Sequence, residues 1–246
     1  MISSAFHLFV YNPLYNGLIF LITVVPRHDV GLAIIALTII VRIILFPLAR
    51  RMVKTQIKIK ELASEIEAIK NTHKDNNVEQ SRAILALYRH NDVHPLSGLG
   101  LTLLQFPVLL AIYLVFARGG LPIIHAQLLY SFVAAPHTIT MVFLGLIDMG
   151  STHSVVLAAC AALTQYGYIR LTMGKRAASK KSNGSFSDDM ARSMDVQMRF
   201  FLPGMIGVIG YSVCAAVPLY WTTANLFMIA QEYAAGRRFS GERVSA

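Results

Sequence analysis

One arginine stands inside an otherwise apolar run: Arg42, in Ala36-Leu37-Thr38-Ile39-Ile40-Val41-Arg42-Ile43-Ile44-Leu45-Phe46. A guanidinium at the centre of a membrane helix costs roughly 2.5–3.5 kcal/mol even on the milder insertion scales, so such a side chain normally faces a partner or a wet cavity. Two amides, Gln105 and Gln165, sit in two other apolar runs, and an unpartnered amide in hydrocarbon is costly as well. A fixed cation with amide donors and acceptors is equipped to hold acidic and polar peptide groups, not to break bonds. Motifs for catalysis are missing: there is no Gly-x-Ser-x-Gly elbow, no His-Glu-x-x-His and no pair of buried carboxylates, and Asp148, close to one apolar run, has no evident partner. His90 and His94 have the four-residue spacing of a two-histidine zinc site, but Asn91 follows His90 and Pro95 ends the helix. Solvent-exposed histidines without a metal are the expectation. Cys160 and Cys214 each lie in apolar surroundings and read as small buried side chains. No cofactor is implied.

The elements that carry these residues are set by lipid. Of 246 residues, 55% are hydrophobic and 14% charged, with a mean hydropathy of +0.54, outside the balance of a soluble domain. Five segments approach the roughly 20 residues that a hydrocarbon core requires: residues 30–48, 96–117, 154–173, 196–214 and 217–235. Only Ala215 and Ala216 separate the last two, with Pro218 just after, so they form a tight hairpin. The apolar stretch before residue 30 is interrupted by Tyr11-Asn12-Pro13 and Tyr15-Asn16-Gly17, and no Lys or Arg precedes it. It reads as an interfacial helix on the outer surface, with a sixth span as the alternative.

The net charge of +9 does not point to nucleic acid, because the 22 Lys and Arg residues are not gathered on an aromatic-rich motif. Their placement beside the spans is informative instead. Arg50, Arg51, Lys54, Lys58 and Lys60 follow the first span, Lys175, Arg176, Lys180 and Lys181 the third, and Arg237, Arg238 and Arg243 the fifth, whereas the other side offers Arg27 and Arg118. The positive-inside rule therefore puts the N-terminus outside and the C-terminus in the cytoplasm. The predicted protein is an all-α, multi-pass integral protein of the cytoplasmic (inner) membrane. Its order is an external interfacial helix (1–29), first span (30–48), cytoplasmic helical hairpin (49–95), second span (96–117), external loop (118–153), third span (154–173), cytoplasmic loop (174–195), fourth and fifth spans as a hairpin (196–235) and a cytoplasmic tail (236–246).

In the cytoplasmic segment Ile59, Leu62, Ile66 and Ile69 recur at three and four residues, a helical stripe. After the polar turn 71–77 comes a second short helix with Val78, Ile84, Leu85 and Tyr88. The two close as an antiparallel pair, either a solvated connector or a docking surface for a ribosome or nascent chain.

At 1.5 Å per residue, Arg42 lies about 9 Å, Gln105 about 14 Å and Gln165 about 12 Å from the cytoplasmic ends of their spans. A shared water-filled recess opening to the cytoplasm satisfies all three. With no acidic residue at that depth it stays positive and attracts acidic stretches of a peptide. Read separately, Arg42 snorkels to the headgroups, the glutamines bond neighbouring helices, Trp221 and Tyr220 form part of an aromatic belt and Asn225 makes a helix contact.

These residues together resemble the YidC family of membrane protein insertases over nearly the whole chain. The likeness is carried by Tyr11-Asn12-Pro13-Leu14, by Thr38-Ile39-Ile40-Val41-Arg42-Ile43-Ile44-Leu45-Phe46-Pro47-Leu48, by Pro95-Leu96-Ser97-Gly98 with Leu103-Leu104-Gln105-Phe106-Pro107-Val108, and by Leu219-Tyr220-Trp221 with Ala224-Asn225-Leu226. The resemblance implies a five-helix core with a positively charged groove, open to cytoplasm and lipid and closed outside. A hydrophobic segment of a client would pause there before leaving sideways into the bilayer, without nucleotide or metal. Arg42 matches the family's groove arginine, Gln165 and Trp221 match groove-lining positions, and Thr38 lies one turn from Arg42; Gln105 and Tyr220 complete the candidate groove. Implied partners are nascent membrane proteins and the lipid bilayer, with the ribosome and a Sec translocon as further candidates and no specific nucleic acid. His94 departs from the family's usual Asn. The short tail argues against strong ribosome tethering, and the chain shows neither a leading signal segment nor a large external domain. A small-solute transporter or channel is the alternative, but paired broken helices and internal duplication are not evident.

Overall fold

The computed structural model describes residues 4–73, 76–93, 97–117, 120–173 and 196–234. His94, Arg118, the loop charges Lys175, Arg176, Lys180 and Lys181, and the tail charges Arg237, Arg238 and Arg243 lie outside the described residues. The protein is an all-α membrane protein. Its helices are α1 (Ser4–Val24, with a π turn at His7–Tyr11), α2 (Val30–Glu61), α3 (Ala63–Thr72), α4 (Asn77–His90), α5 (Ser97–Ala117), α6 (Val155–Met173), α7 (the π turn Gln197–Phe201 running into Leu202–Ser212) and α8 (Ala216–Ala234). The sole sheet among the described residues is a two-stranded hairpin, β1 (Val142–Phe143) paired antiparallel with β2 (Ile147–Asp148).

Among the described residues three helical stretches are long and apolar enough to cross a membrane: Ser4–Val24, Val30–Arg51 and Val155–Thr172. Gln105–Ala117 is a shorter apolar stretch. The regular part of α7 has 11 residues, about 16 Å at 1.5 Å per residue, short of the hydrocarbon thickness. In α8, Thr222, Thr223, Asn225, Gln231 and Glu232 dilute the apolar run.

The chain divides into two compact units, residues 43–107 and the remainder. In the larger one, α6 packs against both α7 and α8. Small residues let the backbones approach: a side chain at Gly207 would meet Ala162 at 3.2 Å, and one at Gly210 would meet Pro218 at 3.3 Å and Ala158 at 3.5 Å. Lipid tails are as apolar as the helices, so close backbone packing of this kind, rather than apolar burial, drives association in a bilayer. The core gathers Tyr15, Leu18, Ile19 and Ile22 of α1, Val30, Ala33 and Ile34 of α2, and Ala111, Ile112 and Val115 of α5.

One end of this unit is a hydrogen-bonded cap. Asn16, buried in the middle of α1, donates to the carbonyl of Leu128 (2.9 Å) and accepts from the amide of Tyr130 (2.7 Å), while the Tyr15 hydroxyl accepts from the amide of His125 (2.9 Å). Asp29, also buried, caps α2: its Oδ1 accepts from the amides of Gly31 and Leu32 and its Oδ2 from that of Leu144. Thr140 pairs with the backbone of His28 and Val30. The α7–α8 turn joins the same cap, Ala215 donating to Ser151 and Ala216 to Met149.

The smaller unit contains the end of α2, the α3–α4 hairpin and the start of α5. Helix α2 continues beyond its apolar part to Glu61, with Pro47 inside it, and Pro107 lies inside α5. Each proline removes one i→i−4 backbone hydrogen bond. Leu62 is buried and Ile66 and Ile69 are half-buried, as the stripe requires, and α3 packs on α4. Val78 and Leu85, expected inside the pair, point outward instead. At 3.6 residues per turn they lie opposite Leu87, which takes the packing side together with Ile84.

Candidate functional site

The face of α2 decides where Arg42 points. Ile34, Thr38 and Arg42 follow one another at four-residue intervals, a single row on a helix. Ile34 is fully buried and Thr38 is 1% exposed, the Thr38 hydroxyl donating to the Ile34 carbonyl at 2.6 Å. The opposite side of α2 carries Ile39, Ile40, Ile43 and Ile44, all exposed, as a face against lipid must be. Arg42, half-buried, therefore lies on the protein side of its helix.

Two phenol groups lie within its electrostatic range. Tyr220 of α8 and Tyr168 of α6 lie close enough to the Arg42 guanidinium to interact electrostatically with it. Tyr220 is 2% exposed. Three helices thus converge on one cation, and no carboxylate is paired with it among the described residues. A phenol dipole offsets part of the cost of holding the charge away from water without cancelling its sign.

Gln165 shares a face of α6 with Ala161, Thr164 and Tyr168, at the three- and four-residue spacings that align side chains on a helix. Its neighbour Thr164 accepts a hydrogen bond from the Asn225 amide of α8 at 3.4 Å. Asn225 is buried and so tethers helix to helix, the contact role expected of it. Trp221 is half-buried and packs against the core with Tyr220 buried beside it. Gln105 is half-buried on α5 within the smaller unit. Arg42, Thr38, Gln165, Tyr220 and Trp221 all belong to the larger unit, and of these Tyr220 lies within electrostatic range of Arg42.

Sequence reasoning missed Tyr168 and the clamp residues Asn16 and Asp29. Tyr168 stands five positions before Met173, about 7.5 Å from the end of its helix, a depth close to that of Arg42. The ruler applied to the glutamines would have found it. No group of three or more metal-ligating side chains occurs among the described residues.

Comparison with known proteins resolves the function class. The family described as "60Kd inner membrane protein" matches residues 21–242. The chain is 28% identical over 207 residues to the "Membrane protein insertase YidC" of Clostridium tetani, covering 84% of this chain and 81% of the relative. It is 27% identical over 227 residues to that of Fusobacterium nucleatum, covering 92% and 96%. The protein of the same name from Caulobacter vibrioides is 29% identical over 245 residues, covering 95% of this chain and 37% of that longer relative. Against this background the transporter alternative falls away, and so does any enzymatic reading. The chain is an integral protein of the inner membrane and belongs to the YidC family of non-enzymatic membrane protein insertases.

Proposed function

We propose that this insertase works through a positively charged recess, open to the cytoplasm and to lipid, in which Arg42 is the fixed charge and Thr38, Gln165, Tyr220 and Trp221 are lining groups. The observation that carries the reading is the placement of Arg42 on the protein side of α2, within electrostatic range of Tyr168 and Tyr220, with the opposite side left to four isoleucines. A cation held there without a carboxylate draws in the acidic or polar tail of a client. The adjoining apolar segment then leaves sideways because lipid accepts it and the tail cannot stay in hydrocarbon.

The topology that goes with this has five spans in the segments given above, an external N-terminus and a cytoplasmic C-terminus, with the 49–95 hairpin in the cytoplasm. Support for an interfacial α1 comes from Tyr15 and Asn16. They sit mid-helix and bond to the loop between α5 and α6, contacts that suit a helix lying beside a loop at the membrane surface. On this reading the clients are nascent membrane proteins arriving from the cytoplasmic side, and a ribosome or a Sec translocon would be the assembly the protein works beside.

The test is insertion of a small single-span protein into liposomes containing this chain, scored by protease protection, beside empty liposomes and an Arg42→Ala variant. Protection above the empty control that falls in the variant supports the recess. Protection equal in wild type and variant refutes the role of Arg42 while leaving the insertase itself standing.

A further inference from the structure

Helix α4 presents an unusual outer face. Its packing side, Gln80, Ala83, Ile84, Leu87 and Tyr88, is half-buried. The other side carries Val78, Arg82, Leu85, Ala86 and Arg89 at the four-, three-, one- and three-residue steps of a single helical stripe, with Val78 63% and Leu85 45% exposed. Arg82, Leu85, Ala86, Arg89 and His90 line an open groove of about 630 Å³. Neither arginine has an acidic partner among the described residues. The nearby acid, Glu79, is already engaged by His73 at 3.9 Å and by the Asn76 amide at 3.2 Å. The partner helix has the opposite character: α3 exposes Glu65 and Glu67 against Lys70, and Glu61 precedes it.

We propose that this stripe of α4 docks on the anionic lipid surface of the leaflet on its own side of the membrane, the two arginines meeting headgroup phosphates and Val78 and Leu85 entering the apolar boundary. The inference is independent of the recess at Arg42. Basic residues interleaved with aliphatic ones on one helical face are the pattern of an interfacial helix, whereas a nucleic-acid surface adds stacking aromatics, which this face lacks. Tether length agrees. Six residues separate His90 from Ser97, where α5, a helix assigned to the bilayer, begins, so over seven Cα steps the end of α4 lies within about 25 Å of that start. With two glutamates against one lysine, α3 offers an anionic surface less attraction than α4 does.

The experiment places the full chain in nanodiscs of phosphatidylcholine alone or mixed with phosphatidylglycerol. An environment-sensitive fluorophore is attached at Ser81→Cys, beside the stripe, in a Cys160→Ala, Cys214→Ala background, with a control label at Glu67→Cys on α3. In anionic discs the Ser81 label is expected to shift to the blue and to be quenched by a headgroup-borne quencher. The docked population should rise on the order of 30-fold, for two arginines at a charged surface. It should fall with added salt, fall with Arg82→Ala, Arg89→Ala, and persist with Arg82→Lys, Arg89→Lys. Equal signals in neutral and anionic discs overturn the proposal, as does a label that responds only when ribosomes or RNA are added. Should the alanine pair disturb folding, the salt titration and the lysine pair decide the matter, and hydrogen exchange of residues 77–93 in the cysteine-containing natural chain repeats the lipid comparison without a label.

Discussion

The Arg42 guanidinium of α2 lies within electrostatic range of the Tyr220 phenol of α8 in the larger unit, the phenol almost fully buried and the guanidinium on the protein side of its helix. The charge is stabilised by dipoles and not neutralised, which is the condition for drawing acid into a recess. Arg42→Ala should therefore lower insertion of a client with an acidic translocated tail on the order of tenfold, and that of a neutral-tailed client by no more than about twofold. Arg42→Lys, which keeps the charge, should retain most of the activity on both. Parallel protease-protection assays with the two clients measure the ratio, and an equal loss on both would make Arg42 a structural residue.

The clamp around Asn16 is a stability feature. Its amide satisfies two groups of the loop, the Leu128 carbonyl and the Tyr130 amide, and removal of a buried partner costs about 1–3 kcal/mol. Asn16→Leu, which fills similar space without the bonds, should lower the Tm in detergent and expose the loop to protease while leaving the helical content unchanged. Unchanged Tm and protection would show that water replaces the amide without loss.

How much of this is legible in the sequence depends on whether a residue's role is local. Arg42 stands out by its type in an apolar run, and the helical face that turns it inward follows from the isoleucines at 39, 40, 43 and 44. The Leu62, Ile66 and Ile69 stripe likewise packs as its spacing requires. Asn16 and Asp29 are opaque because their partners, Tyr130, Leu128 and Leu144, lie more than a hundred residues away, and no periodicity encodes such a pairing. Val78 and Leu85 mislead for the opposite reason. Apolar type alone assigns them to the hairpin interior, whereas their angular position on α4 puts them outside.

Asp29 combines two duties that substitutions can separate. Its Oδ1 caps α2 through Gly31 and Leu32, and its Oδ2 holds Leu144 in the β1–β2 hairpin. Asp29→Asn retains one acceptor for the cap but presents an NH2 group toward the Leu144 amide, so the cap survives and the hairpin contact is lost. Asp29→Ala loses both and should destabilise further, the cap alone being worth about 0.5–2 kcal/mol. Hydrogen exchange should show the amide of Leu144 opening in both variants, and those of Gly31 and Leu32 opening in the alanine variant only.

Beside that cap, Gly31 lies directly under the ring of Phe143, and a Cβ at residue 31 would collide with it. Phe143 ends β1, and the turn that follows needs left-handed backbone at Leu144 (φ 51°) and Gly145 (φ 76°), so the ring cannot withdraw without disturbing the hairpin. Gly31→Ala should therefore cost about 1–3 kcal/mol, the usual penalty for overpacking. The clash is with Cβ as well as Cγ and Cδ2 of Phe143, so the whole side chain must go to remove the penalty: Gly31→Ala in a Phe143→Gly background should be close to neutral relative to Phe143→Gly alone. Chemical or thermal unfolding of the four proteins in one detergent closes the cycle, and a coupling below about 0.5 kcal/mol would show that the backbone of α2, not the Phe143 side chain, is what the glycine accommodates.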